Sequence, residues 1–383
     1  MFEFATATRI IFGPGIAAQT GEIAKPFGTR PLIVTGRDPR RAEWLISNLR
    51  QQQMIPEVFS VSGEPSIETI QSGVEIARAH QCDFVIGIGG GSAIDSGKAI
   101  AAMLTNPGEL LDYIEVVGRG KSLAKPSASF VAIPTTAGTG SEVTRNAVLS
   151  APEHRVKASL RSPFMLPRVA LIDSNLTHDL PPEVTAFTGL DALTQLIEPY
   201  VSAKANPMTD ALCIEGMRRA STSLKRAFLN GKDAAAREHM SVASLFGGLA
   251  LANAGLGAVH GFAGPIGGMF PAPHGAICAA LLPHVMQANI RALEQRAKDN
   301  PALGRYDDVA RLVTGNPGAT RAHGVDWVQN LLTELRIPRL EAYGIQAVDI
   351  PDIVEKSMHA SSMKANPIPL GREELEQVIR AAI

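Results

Sequence analysis

From His239 to Ile290 the chain carries no Asp, Glu, Lys or Arg. A charge-free run of that length either crosses a membrane or lies at the centre of a domain. A spanning helix needs ~20 consecutive, mostly apolar residues. This run is rich in Gly and Pro, modest in Leu and Ile, and carries Asn253, His260, His274 and His284. Buried helices are therefore expected rather than a membrane span. Polar side chains inside such a block must be paired or must bind something.

Ahead of that block, short β-rich runs alternate with helical stretches. The patterns predict strands at Arg9–Phe12, Pro31–Thr35, Glu57–Val61, Phe84–Ile88, Ser129–Ile133 and Val169–Asp173. Helices fall between them at Ala42–Gln51, Ile67–His80 and Ala93–Leu104. Such alternation indicates βαβ units and a parallel sheet covered on both faces. Leu180-Pro181-Pro182 is a natural boundary. Beyond it helical patterns dominate, at Ala186–Val201, Asn206–Phe228, Ala234–Ala254, Pro283–Arg296, Tyr306–Leu312, Val325–Leu335 and Arg372–Ala382. The expected architecture is an α/β nucleotide-binding domain over residues 1–180 and an all-helical domain over 181–383, with a cleft between. Ligand sites favour such interfaces.

Composition narrows the function. Hydrophobic residues make up 45% and charged residues 19%, which excludes wholesale disorder. Thirty-six Lys and Arg face 37 Asp and Glu, so no basic excess exists to neutralise a phosphate backbone, and nucleic acid is not an expected partner. The three cysteines, Cys82, Cys213 and Cys278, are widely spaced and form no CxxC. That argues against a disulfide framework and against a thiolate zinc site, and it fits a reducing cytoplasm. Met1-Phe2-Glu3-Phe4 places an acid where a signal peptide has Lys or Arg, so a cytoplasmic protein is expected.

Two loops promise an anion site. Gly87-Ile88-Gly89-Gly90-Gly91-Ser92-Ala93-Ile94-Asp95-Ser96-Gly97-Lys98 follows a strand and opens a helix. Consecutive glycines let the backbone approach a bulky anion, and the helix N-terminus offers free N–H groups. The plainer alternative is a tight turn with Ser92 as N-cap and Asp95 as its capping-box partner. Neither a P-loop nor the Rossmann fingerprint fits, because Ser92 stands where each requires Gly. A phosphate or pyrophosphate cradle is the better account. Five of the ten residues from Thr135 to Thr144 carry a hydroxyl, with Gly138 and Gly140 among them, as suits a ribose or nicotinamide rim.

A second constellation suits a metal. Asp191, Gln195 and Glu198 fall at i, i+4 and i+7 of a predicted helix and share one face. Thr188-x-x-Asp191 could instead be a capping box. His260 and His274 sit beside Gly and Pro in the charge-free block. One Asp and two His would suit Zn²⁺ or Fe²⁺ with an open position.

These two loops strongly resemble those of the iron-containing (group III) alcohol dehydrogenase family. Pro167–Asp173, Gly189-Leu190-Asp191-Ala192-Leu193, Pro273-His274-Gly275 and Leu282-Pro283-His284-Val285-Met286 extend the resemblance, which runs from about Phe12 to Asn366-Pro367. It implies a dehydroquinate-synthase-like fold, with an N-terminal α/β domain for NAD(P) and a C-terminal helical domain holding a divalent metal. It also implies hydride transfer between a small alcohol and its aldehyde or ketone, and a homo-oligomer, commonly a dimer. Carried over by position, Gly89, Gly90, Gly91 and Ser92 cradle the pyrophosphate. Thr135, Thr136, Thr139 and Ser141 line the cofactor, and Asp95 and Lys157 lie near its nicotinamide end. Asp191, His260 and His274 match metal ligands, and His260, Asp95 and Lys157 are the catalytic candidates.

Two departures stand out. Gln195 occupies the place of the family's usual fourth ligand, a His, and Gly264 that of a second His near the substrate. Amide oxygen is a weaker ligand than imidazole, so zinc competes with iron. Gly264 removes one proton relay and widens that side of the pocket; ribose hydroxyls, Ser141 or solvent are the alternatives. NAD-using relatives often place an Asp soon after the second strand, where this chain has Gly36-Arg37-Asp38 followed by Arg40 and Arg41. That pattern favours NADP, with NAD the alternative. Two competing readings remain: an oxo-acid reductase similar to maleylacetate reductases with little metal dependence, and a non-catalytic nucleotide-binding protein.

Overall fold

All six expected strands form, and their pairing is parallel throughout. The structure is a computed structural model and describes residues 1–151, 153 and 156–383. Its strands are β1 (Arg9–Phe12), β2 (Pro31–Thr35), β3 (Glu57–Ser60), β4 (Phe84–Gly89), β5 (Ser129–Pro134), β6 (Asn146–Ala151), β7 (Val156–Arg161) and β8 (Val169–Ile172). The sheet order is β1-β8-β5-β4-β2-β3, while β6 and β7 pair antiparallel in a separate hairpin. Between the strands run α1 (Thr20–Ala24), α2 (Glu43–Gln51), α3 (Ile67–Ala79) and α4 (Gly91–Thr105).

Side chains alternate across a strand, and β2 shows the result. Leu32 and Val34 join one apolar cluster with α3 and α4, whereas Ile33 joins another with Leu45 and Leu49 of α2. Both faces are thus covered, which is why β2 and β4 are buried along their whole length. From β2 the chain moves to β3 on one side, and from β4 to β5 on the other. The strand order therefore reverses between β2 and β4, and ligands of open α/β sheets bind outside the carboxyl ends at such a switch.

The helical part comprises α5 (Pro182–Val201), α6 (Pro207–Leu229), α7 (Ala234–Ala254), α8 (Ala258–Met269), α9 (His274–Arg296), α10 (Ala302–Thr314), α11 (Arg321–Glu334), α12 (Ile350–Met358) and α13 (Arg372–Ala382). By contacts the chain divides into one unit of Met1–Ala5, Ala137–Thr139 and His178–Ile383, and another of Thr6–Thr136 and Gly140–Thr177. The expected α/β-then-helical order is present. By length and composition α9 could cross a membrane, but 78% of that stretch is buried within the helical unit. Joined, α7 and α8 would also qualify, yet they meet at a bend of 99°.

Sequence patterns understate three elements. The hairpin β6–β7 is short and polar on one side. α8 contains Pro265 and four glycines, a composition that propensity alone assigns to loop. α9 begins at His274 and runs through Pro283, where the pattern suggested a helix start. Burial on all sides outweighs the lost hydrogen bond.

In the α/β unit a buried ammonium ties the two loops together. Lys98 of α4 donates to the carbonyl of Ser141 (2.9 Å), to Thr144 Oγ1 (3.0 Å) and to the carbonyl of Asn146, and pairs with Asp95 Oδ1 at 3.0 Å. Burial outweighs the pull of Asp95 and lowers its pKa. Glu142, beside it, is also buried, and burial pushes its carboxyl from 4.5 up to about 7. The folded chain thus keeps a proton that the unfolded chain has released. Stability is full below about pH 4.5 and falls as pH rises through about 7. Glu142→Gln is expected to remove that slope, worth on the order of 3 kcal/mol. Denaturant unfolding across the window checks it; an unchanged slope places the titration elsewhere.

Candidate metal centre and dinucleotide cradle

The first turn of α4 is bare. Its N-cap is Gly90, and among the described residues no side chain caps it. Ser92 lies inside the helix, and Asp95 is occupied elsewhere, accepting from Val148 N at 2.9 Å and from Ser141 Oγ. The capping-box alternative is therefore absent, and a helix N-terminus of this kind suits an anion. Gly89 has φ of +151°, and a Cβ there would lie 2.7 Å from Ala93 Cβ and 3.5 Å from Gly36 N. Only glycine lets β4 turn here so close to the end of β2. Thr135 N donates to the Gly89 carbonyl at 2.9 Å, and Thr136 Cγ2 would stand 3.4 Å from a Cβ on Gly90. Gly36, Gly89, Gly90, Gly91, Thr135 and Thr136 thus gather around the strand-order switch.

Other expected cofactor residues are placed differently. Asp38 caps the turn after β2 and is gripped by Arg40, Nε to Oδ1 at 2.8 Å and Nη2 to Oδ2 at 2.9 Å. The Arg40 hydrogen bond holds this exposed carboxyl below its usual range. Arg37 Nε donates to Ser62 Oγ at 3.2 Å. Lys157 is on β7, with its Nζ 2.9 Å from Glu64 Oε1. Thr139 groups with the helical unit, beside Gly138, whose Cβ would lie 2.7 Å from Thr188 Cβ.

In the helical unit α5 presents the predicted face, and Asp191, Gln195 and Glu198 are all buried. Thr188 lies mid-helix and donates to the Val184 carbonyl at 2.8 Å, so it caps nothing. Opposite Asp191 stand His260 of α8 and His274 of α9. Asp191 Oδ1 is 3.3 Å from His260 Nε2 and 3.7 Å from His274 Nε2. Close packing makes this possible: a Cβ on Gly275 would fall 2.3 Å from the Phe187 carbonyl oxygen, so glycine allows α9 to start against α5. Cys278, one turn after His274, places Sγ 3.9 Å from His260 Nε2 and 3.7 Å from His274 Nε2. Donor atoms of Asp191, His260, His274 and Cys278 all lie within 4.8 Å of one another.

Cys278 corrects the expectation that cysteine has no part in a metal site. The available signal was His274-x-x-x-Cys278, an i, i+4 pair on one helical face; Cys spacing alone hid it. Burial opposes charge on all four groups. Nevertheless Cys278 and the nearby carboxylates raise His260 and His274, while the two imidazoles lower Asp191 and Cys278.

Two oxygens are conspicuous. Asp191 Oδ1 and Gln195 Oε1 are buried without a hydrogen-bond partner among the described residues. A carboxylate oxygen left so is costly, and this one points at two imidazole nitrogens. Behind them Glu198 completes the arrangement. Its Oε2 lies 2.6 Å from His260 Nδ1, and its Oε1 accepts from Val259 N at 2.7 Å. Gly257, the N-cap of α8, has no side chain to offer, so Glu198 caps from α5 and Asn366 Oδ1 accepts from Ala258 N at 3.0 Å. With Nδ1–H donated to Glu198, His260 turns Nε2 toward the cluster, where it can bind a cation in exchange for its proton. The residues fit a divalent cation.

Comparisons with known proteins agree along the whole chain. A family model described as iron-containing alcohol dehydrogenase matches residues 7–174, and one described as Fe-containing alcohol dehydrogenase family, C-terminal, matches 185–383. Alcohol dehydrogenase 4 of Schizosaccharomyces pombe is 35% identical over 97% of this chain and 87% of its own. The 1,3-propanediol dehydrogenase of Citrobacter freundii is 34% identical over 100% of this chain and 99% of its own. A solved 1,3-propanediol oxidoreductase superposes with a TM-score of 0.93 at 32% identity, covering 100% of both chains.

Glu198→Gln tests the tautomer argument. An amide cannot accept from both Val259 N and His260 Nδ1 through one oxygen while its NH₂ faces either donor. Metal affinity is expected to fall ~10–100-fold, with dinucleotide affinity unchanged. Chelator competition measures the first and fluorescence titration the second. Unaltered metal affinity would refute the role.

Proposed function

The chain belongs to the iron-containing alcohol dehydrogenase family and is an NAD(P)-dependent oxidoreductase; we propose that it interconverts a small alcohol and its aldehyde or ketone, with a divalent metal held by Asp191, His260 and His274. The observation that carries the metal reading is the buried, unpartnered Asp191 Oδ1 facing two imidazole nitrogens. When bound, such a cation acts as a Lewis acid that polarises the carbonyl oxygen. The chain's own groups do the rest. Glu198 fixes the His260 ring and its tautomer, and the bare N-terminus of α4 receives the pyrophosphate. Ser141 and Asp95, hydrogen-bonded to each other, set the edge of the cofactor loop near its nicotinamide end, with Lys157 beside them in this reading. Thr135, Thr136 and Thr139 line the cofactor. A side chain at 264 would meet nothing within 4 Å among the described residues, so Gly264 leaves room on α8 for a substrate larger than ethanol.

NADP is the proposed dinucleotide. Asp38 would repel a 2′-phosphate if its charge were free, but Arg40 neutralises it in a two-pronged pair. Arg37 and Arg41 add positive charge nearby. Assembly as a homodimer belongs to the same reading and rests on the resemblance, while a cytoplasmic location rests on the widely spaced cysteines.

His260→Ala is expected to abolish metal binding and turnover while leaving dinucleotide affinity within about threefold, since the cradle is built from other elements. An aldehyde and ketone panel with NADH and NADPH, repeated after metal exchange, reads this out; retained turnover would contradict the mechanism, and activity surviving a strong chelator would favour the metal-poor oxo-acid reductase. Arg40→Ala, by freeing Asp38, is expected to move the NADPH-to-NADH ratio of kcat/KM toward NADH by about tenfold. A constant ratio would remove Asp38 and Arg40 from cofactor choice.

A further inference from the structure

The geometry points to Cys278 as a thiolate ligand that takes the place of the fourth imidazole missing at Gln195, and so to zinc as the cation this site selects; the inference rests on the metal reading above. Tetrahedral zinc, with ~2.3 Å to sulfur and ~2.0–2.1 Å to nitrogen, sets N and S donors ~3.5 Å apart and N and O donors slightly closer. Cys278 Sγ lies 3.9 and 3.7 Å from the two Nε2 atoms, and Asp191 Oδ1 lies 3.3 and 3.7 Å from the same two. Four of the six donor pairs thus stand near the spacing one ion requires, and all six lie within 4.8 Å.

Gln195 offers only an amide oxygen, a poor donor for such a cation. Its Oε1 lies toward α7, 3.5 Å from where a Cβ on Gly247 would be. Sulfur from Cys278 therefore restores the count of protein donors to four. Cys278 and His274 come from one face of α9, so a single rigid helix sets half of the donors. Replacing imidazole by thiolate also changes preference. Soft sulfur suits zinc, and site geometry and donor type decide between metals of similar affinity.

Cobalt(II) reports the bond directly. Protein stripped by a chelator and reloaded with one equivalent of Co²⁺ is expected to show tetrahedral d–d bands in the visible and a sulfur-to-cobalt charge-transfer band in the near ultraviolet. Cys278→Ser should lose the charge-transfer band, keep the visible bands in weaker form, and lower zinc affinity by more than the ~10–100-fold cost of an outer-contact change. Cys82→Ser, as control, should leave the spectrum intact. Visible bands without charge transfer in the unaltered protein would overturn thiolate ligation while leaving the metal site standing. Failure to bind cobalt or zinc at all would overturn both. Circular dichroism of Cys278→Ser distinguishes a lost ligand from a lost fold: native helicity with an unchanged charge-transfer band also refutes the proposal.

Discussion

A carboxylate oxygen buried in an apolar helical core, with no hydrogen bond among the described residues and two imidazole nitrogens at 3.3 and 3.7 Å, is the constraint around which the helical unit is arranged. Desolvating a charged group costs several kcal/mol, more than one good hydrogen bond returns. Asp191 Oδ1 is such an oxygen. Three features of the surrounding sequence make sense only beside it. Gly275 lets α9 begin against the backbone of α5; Gly257 leaves the start of α8 open to Glu198; and the charge-free block supplies imidazole and thiol in place of water. Chains that bury a charge without a partner normally neutralise it. This one surrounds it with groups that a cation would join.

The α/β unit faces the inverse problem. There the unsatisfied groups are N–H donors at the start of α4, and the missing partner is an anion. Among the described residues no side chain folds back to cap them: Ser92 lies inside the helix, and Asp95 is committed to Ser141 and Val148. Lys98 could have supplied positive charge to a phosphate, but it points inward and holds Ser141, Thr144 and Asn146. In the proposed reading anion binding is left to backbone dipoles, and the lysine after the glycine run is structural. That distinguishes this loop from a P-loop, where the lysine reaches the phosphates.

How far the sequence reveals this depends on the range of the signal. The strands of the sheet are legible because each is a short apolar run bounded by breakers, and the face of α5 because 3.6-residue periodicity places Asp191, Gln195 and Glu198 together. α8 is not legible: four glycines and Pro265 oppose helix formation, and only contacts made by distant segments, such as Asn366 to Ala258 N, hold the stretch helical. Cys278 is hidden for a related reason. Cysteine counting looks for pairs of cysteines, whereas its partners here are a histidine one turn away and two residues on other helices. Glu198 is visible as a position on a face, yet its double duty, capping α8 and orienting His260, exists only in three dimensions.

Gln195 and Cys278 are best understood as one change. An imidazole lost from α5 would weaken the grip on a cation, and an amide oxygen at the same place is too poor a donor to replace it. Gln195 Oε1 is instead buried without a hydrogen-bond partner among the described residues, toward Gly247 of α7. Sulfur comes from α9, 3.7 Å from His274 Nε2 and fixed relative to it by one helical turn. A donor carried on the same helix as an existing ligand needs no new rotamer freedom to be frozen between helices, so its entropic cost is that of a single buried side chain. Under the proposed reading the donor set alters which metal is held while the backbone stays that of the family, as a TM-score of 0.93 to a solved 1,3-propanediol oxidoreductase at 32% identity fits.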